Sequence, residues 1–113
     1  MAQMTTRTLQ VLLALAEGPL HGYGIKQRVE ERTGGAVSLR SGTLYEAVHR
    51  LAQRGWIQEV DVPEEDASSG GPARRFYALT EPGRRALQDE LQRMDEVVRY
   101  ARGRDLLGDT SPR

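Results

Sequence analysis

Apolar residues in this chain recur with helical spacing as far as Gly55, alternate from Trp56, and return to helical spacing after Thr80. Three helices, a strand, a loop, a second strand and a last helix follow from that order, a mainly α fold with a two-stranded β-hairpin (α+β). The first helix runs from Thr5 to Glu17: Leu9, Leu12, Leu13 and Ala16 share one face, Thr5 or Thr6 is placed to cap it, and Gly18-Pro19 ends it. The second spans about Gly22 to Arg32, with Ile25 and Val29 as a narrow stripe and Gly34-Gly35 as its stop. The third starts at Ser41, a residue suited to capping. It gathers Leu44, Ala47, Val48 and Leu51 on one face and Thr43, Glu46, His49, Arg50 and Gln53 on the other.

Trp56 to Val62 and Arg74 to Thr80 read as the paired strands, joined by the acidic, turn-rich segment 63–72. If Phe76 or Tyr77 faces inward, its neighbour faces out. Thr80 is placed to cap the last helix, and Pro82 is tolerated in a first turn. In that helix Leu87, Leu91, Met94, Val98 and Ala101 are spaced 4-3-4-3, an a/d seam. From Glu81 to Arg104 it would reach roughly 36 Å, longer than a domain of this size needs for its own core. The division expected is 1–80 as one domain, 81–104 as a helix that packs on a second copy, and 105–113 as a flexible tail.

At 113 residues the chain forms a single domain with a conventional core, expected to expose roughly 6,200 Å² when compact. It has no cysteine, which removes disulfides, thiolate metal sites and cysteine nucleophiles. The longest apolar run, Val11 to Ala16, is far too short to span a bilayer, and no signal-peptide pattern opens the chain, so a cytoplasmic location without membrane contact is expected. Sixteen basic and sixteen acidic residues cancel, which taken alone argues against nucleic acid. The distribution is uneven: residues 1–56, 57–66, 67–86 and 87–113 carry net +3, −5, +3 and −1.

The order of elements suggests a winged helix, in which the second and third helices form a helix-turn-helix, the third enters the DNA major groove, and the hairpin loop is the wing. Three segments carry a specific resemblance: Leu20-His21-Gly22-Tyr23-Gly24-Ile25, Ser41-Gly42-Thr43-Leu44-Tyr45, and the run from Gly70 to Gly83. Together, in this order and spacing, they resemble the PadR family of transcriptional regulators over about residues 8–100. The resemblance implies a homodimeric winged helix-turn-helix DNA binder with a C-terminal dimerisation helix, usually a repressor of a nearby operon, in the smaller branch of the family. Gly24, Val48 and Ala73 depart from the family pattern, and Gly24 inside a helix costs about 1 kcal/mol unless close backbone approach requires it. The only tryptophan, Trp56, begins the first strand, so the aromatic drug sandwich of the multidrug-binding members has no counterpart in the last helix.

Candidate DNA contacts follow from position. Arg40, Ser41 and Thr43 stand at the mouth of the third helix, where N–H groups, hydroxyls and an arginine can meet phosphate or a base edge, although Ser41 also reads as a cap. Tyr45 flanks that face, and Tyr23 starts the second helix near His21, for which a structural hydrogen bond is the favoured role. His49 and Arg50 lie further along, where a solvated face competes with DNA contact. Glu46 needs a cytosine amino group or Arg50 as partner. In the wing, Gly70 and Gly71 permit the turn and Arg74 or Arg75 points out toward a minor groove. Glu64, Glu65 and Asp66 should swing away or pair with those arginines. Leu87, Leu91, Met94, Val98 and Ala101 are the candidate dimer interface.

No combination of residues suggests catalysis, a metal site or a bound cofactor. The expected partners are double-stranded DNA with a pseudo-palindromic operator, a second copy of the chain, and a small-molecule inducer acting through the dimer seam. The alternative is a winged-helix protein–protein interaction module without DNA binding. That alternative predicts apolar anchors on the outer face of the third helix, where the sequence has polar ones.

Overall fold

The computed structural model describes residues 4–61 and 75–108. Among these residues, four helices surround a small antiparallel sheet in the order α1 (Thr6–Leu15), β1 (Leu20–His21), α2 (Gly22–Thr33), α3 (Ser41–Gln53), β2 (Ile57–Val60), β3 (Phe76–Leu79) and α4 (Glu81–Gly103). Thr5, rather than Thr6, caps α1, its hydroxyl accepting from the Thr8 N–H at 3.2 Å. Val11, Leu12 and Ala14 are fully buried and Leu9 and Leu15 nearly so, because α1 packs against α2, α3, β3 and α4 and needs apolar residues nearly all round.

The sheet has three strands, not the two expected, in the order β1-β3-β2. Gly18, at φ 145°, turns the chain so that Leu20 pairs with Tyr77 and His21 with Phe76. A two-residue strand has no periodicity to read. Its presence makes β3 the central strand, and this corrects the expectation that one of Phe76 and Tyr77 would face out. Both are buried, Tyr77 in the main core and Phe76 against the edge of the His21 ring, 5.2 Å between centroids. In β2 the inward residue is Ile57, while Trp56 is half-buried with the Arg54 guanidinium 5.1 Å from its ring centre.

Two glycines occupy the third position of a helix and face opposite demands. At Gly83 in α4, a Cβ would stand 2.8 Å from the Trp56 carbonyl carbon and closer still to its oxygen. Thr80 fastens the same junction: its hydroxyl accepts from the Gly83 N–H at 3.1 Å and donates to the Gly55 carbonyl at 2.5 Å, and its N–H donates to Trp56 O at 3.0 Å. At Gly24 in α2, a Cβ would meet only Leu20 and His21 side-chain atoms at 3.4 Å or more. No close approach requires glycine there. Gly24→Ala is therefore expected to stabilise by about 0.5–1 kcal/mol, raising Tm by a few degrees in a thermal melt; a lower Tm would mean that the His21 cap is disturbed.

Leu87 completes the core, whereas beyond it only Glu90, Arg93 and Ala101 are even half-buried on α4. The accessible surface is 8242 Å², above the roughly 6,200 Å² of a compact monomer of this mass. The radius of gyration is 16.3 Å, against about 13 Å for a compact chain of this length. Among the described residues no helix is long and apolar enough to cross a membrane, and no cluster of His, Asp or Glu could hold a metal ion.

Candidate nucleic-acid interface

The helix-turn-helix is held from behind by apolar packing. Ile25 and Val29 of α2 and Leu44, Val48 and Leu51 of α3 share a core with Leu39, which is fully buried in the connection between the two helices. Gly34 and Gly35, at φ 61° and 85°, end α2, and the Gly35 N–H donates to Glu30 O at 2.9 Å. The Thr33 hydroxyl then accepts from Val37 N–H at 3.1 Å and donates to Val29 O at 2.8 Å, which braces the turn into α3. Arg32 reaches back to Gln10, donating to its side-chain oxygen at 2.7 Å, and Arg28 pairs with Glu17 at 2.6 Å. These contacts fix α2 on α1 and so set the platform from which α3 projects.

The outward face of α3 is polar. Glu46, His49, Arg50 and Gln53 are exposed and Thr43 is half-buried. Ser41 does not cap the helix. The capping position is Arg40, extended at φ −73° and ψ 154°, and no side chain caps this N-terminus, unlike those of α1, α2 and α4. Ser41 falls one residue inside because the Arg40 carbonyl already accepts from the Leu44 N–H, at 2.8 Å. A Cβ at Gly42 would meet nothing within 4 Å, so the first turn opens to solvent. Arg40 and Ser41 are exposed beside it.

Two tyrosines flank this end. Tyr45 is 61% exposed, with its ring beside Gly22 at the start of α2, and Tyr23 is 60% exposed. Between them His21 caps α2, Nδ1 accepting from the Gly24 N–H at 3.0 Å, so the favoured structural role is the one observed. Arg40, Ser41 and Thr43 thus stand at the open N-terminus of α3 and Tyr45 packs beside the start of α2, where Tyr23 is also exposed, while His49 and Arg50 continue one to two turns along α3. Arg75 is exposed at the base of the hairpin and is paired with Glu59 of β2 at 3.5 Å, a partner the sequence reading did not name. Gly70, Gly71, Arg74 and the acids Glu64, Glu65 and Asp66 lie outside the described residues.

On α4 the seam divides. Leu87 is 4% exposed and packs in its own domain, so it has no area left for a second molecule and leaves the expected interface set. Leu91, Met94 and Val98 are 38–44% exposed, and Ala101 is half-buried. Val97, Tyr100, Leu106 and Leu107 are also exposed and were not singled out from the sequence. Val97 and Tyr100 lie off the 4-3-4-3 line, on a second row three residues apart beginning at Met94, which a search for one stripe passes over.

The sequence profile of the transcriptional regulator PadR-like family matches residues 11–89. A transcriptional regulator of Mycobacterium tuberculosis is 34% identical over 95 residues, covering 84% of this chain and 81% of the relative. An uncharacterised transposon protein of Streptomyces fradiae is 37% identical over 84 residues, 74% of this chain, and the chain spans only 21% of that relative's length. Among solved structures, a PadR family transcription regulator from Clostridium difficile matches with a TM-score of 0.70 at 26% identity, covering 85% of this chain and 94% of that one. PadR of Bacillus subtilis, solved in complex with operator DNA, matches with a TM-score of 0.64 at 25% identity over 77% of this chain and 47% of that one. The fold is accordingly a winged helix-turn-helix with a small three-stranded sheet.

Proposed function

From the membership of this chain in the PadR-like family of transcriptional regulators, we propose that it is a homodimeric repressor that binds a pseudo-palindromic operator near its own operon. The observation that carries the reading is the exposed, polar face of α3 with an N-terminus that no side chain caps. Unsatisfied N–H groups at a helix start favour phosphate, and the short hydroxyls and Arg40 beside them can reach phosphate or base edges. Tyr23 and Tyr45 contact the DNA backbone, and His49 and Arg50 lie along the groove. The hairpin, with Arg75 exposed at its base, contacts the neighbouring groove, with Gly70, Gly71 and Arg74 as further candidates from the sequence. The structure of the Bacillus subtilis relative with operator DNA supports this assignment.

Residues 1–80 form the DNA-binding part, 81–104 the dimerisation helix and 105–113 the tail. Leu91, Met94, Val98 and Ala101 make the dimer contact and set two α3 helices about 34–36 Å apart, one helical turn of DNA. A small-molecule inducer would act by changing the angle between the heads through that seam.

Fluorescence anisotropy with the chain's own upstream DNA at two salt concentrations tests the reading. Site preference with a steep salt dependence is expected; no binding at low salt would favour the protein-interaction alternative. Because the net charge is zero, affinity for unrelated DNA should be weak. Arg40→Ala should lower operator affinity about tenfold with Tm unchanged, since Arg40 is exposed and makes no side-chain cap. Unchanged affinity would remove Arg40 from the interface.

A further inference from the structure

One charge on the outward face of α3 takes no part in the fold or in the DNA contacts above. Glu46 is exposed and is the only acid of α3. Its natural partner along the helix is Arg50, one turn on, in the favourable order of acid before base. That pair is not made: neither side chain has an ion pair or hydrogen bond among the described residues, whereas Glu81 with Arg85 and Asp95 with Arg99 pair across the same interval in α4. A carboxylate without a partner on a face that meets DNA repels phosphate and lowers affinity for every sequence alike. The cost is offset only where the DNA itself presents a donor.

The helical step sets where Glu46 points. Leu44, Ala47, Val48 and Leu51 bury one side of α3, and a 100° step per residue runs Gly42, Glu46, His49 and Gln53 along the opposite side. In helix-turn-helix docking the N-terminal half of the second helix reaches the base edges. Glu46 is the sixth of thirteen residues, whereas His49 and Gln53 fall in the second half. Gly42, one turn before Glu46, has no side chain to hold a groove away, and a Cβ there would meet nothing of the chain within 4 Å, so the fold itself does not require glycine. Tyr45 is turned aside, its ring against Gly22 of α2, and Thr43 is short and half-buried. Glu46 is therefore the long polar side chain that points away from the core in the first half of α3.

Resting on the DNA-binding reading above, we infer that Glu46 determines sequence specificity, its carboxylate accepting a hydrogen bond from the amino group of a cytosine in the major groove. An ionised carboxylate only accepts, so it needs a donor among the base edges. Guanine and thymine present acceptors there, which the charge rejects. Adenine presents N6, but that amino group is flanked by acceptors on both sides, its own N7 and O4 of the paired thymine. The cytosine N4 amino group has an acceptor on one side only, O6 of the paired guanine, and so receives a carboxylate with less repulsion. Each half-site then carries one C·G pair that the protein prefers about tenfold over the other three. The same charge weakens binding wherever that pair is missing, so discrimination comes from repulsion as well as attraction.

Selection from a pool of DNA duplexes of randomised sequence, followed by anisotropy on the enriched duplex and its single-pair variants, tests this. The wild type should enrich a C·G pair at one position of each half-site. Glu46→Ala should accept all four pairs at that position within about twofold, keep its preferences elsewhere in the site, and bind unrelated DNA more tightly than the wild type. Glu46→Gln should move the preference at the same position from cytosine to adenine, because an amide both donates and accepts and so matches N6 and N7 together. Loss of a surface charge alone produces no such switch. Thermal melts of both variants should match the wild type, since Glu46 is exposed and makes no contact that the fold depends on. If Glu46→Ala keeps the wild-type preference at every position and differs only in affinity, Glu46 is a solvated charge and the inference is overturned. A preference for adenine in the wild type, lost in Glu46→Ala, would overturn the choice of base. If the wild type binds no duplex even at low salt, the DNA-binding reading itself falls and this inference with it.

Discussion

Gly83→Ala is expected to cost at least about 3 kcal/mol and to lower Tm by about 10–20 °C, a large fraction of the stability of a domain this size. The added methyl would meet the Trp56 carbonyl, an atom of the backbone that cannot rotate away. That carbonyl also accepts from the Thr80 N–H, and the Thr80 hydroxyl holds both the Gly83 N–H and the Gly55 carbonyl. Relief would require α4 to lift from the start of β2, which uncovers Leu87 and loosens the cap. Helix propensity alone predicts the opposite sign, since alanine is favoured over glycine inside a helix by about 1 kcal/mol. A thermal melt of Gly83→Ala beside Gly24→Ala separates the two effects. If both variants melt above wild type, the backbone contact between Gly83 and Trp56 is not present in solution.

Leu91→Asp should convert the proposed dimer to a folded monomer and reduce operator affinity about 100-fold or more. Leu91 is 38% exposed in the single chain, so a carboxylate there stays hydrated and the fold tolerates it. Between two copies the same charge would lose its water among apolar side chains of the proposed contact. The affinity loss follows because each head alone gives up the effective concentration its partner provides. Sedimentation and circular dichroism should show half the mass with unchanged helicity. A dimer of unchanged mass would remove Leu91 from the contact. Leu87→Asp is the control, because Leu87 is buried in its own domain and its loss should unfold the chain rather than merely separate two copies.

Much of the fold was legible because it is written in local periodicity. The stripe of Leu44, Ala47, Val48 and Leu51 marked α3, the alternation after Trp56 marked the hairpin, and Thr80 with Pro82 marked the start of α4. The motif residues from Leu20 to Ile25, Ser41 to Tyr45 and Gly70 to Gly83 led to the family that the comparisons support. Three expectations required correction by packing. Ser41 proved to lie inside α3 because the Arg40 carbonyl closes the first helical bond. Phe76 and Tyr77 are both covered because a third strand, too short to show any period, makes β3 central. Leu87 belongs to its own core because α4 is still docked at that turn.

For the candidate DNA-contacting face, the sequence alone supplied the residue types and their side of the helix, since a 100° step per residue is a local property. Tertiary structure decided which of those residues share one corner: packing on Gly22 brings Tyr45 next to the start of α2, where Tyr23 is also exposed. It also decided the difference between two glycines at equivalent helix positions. Gly24 and Gly83 look alike in sequence, and both follow a residue whose side chain caps the helix. Only the approach of a distant carbonyl, 27 residues earlier in the chain at Trp56, makes one of them indispensable. Periodicity and capping depend on neighbours along the chain and can be read from it, whereas excluded volume between distant backbone segments exists only once the chain has folded.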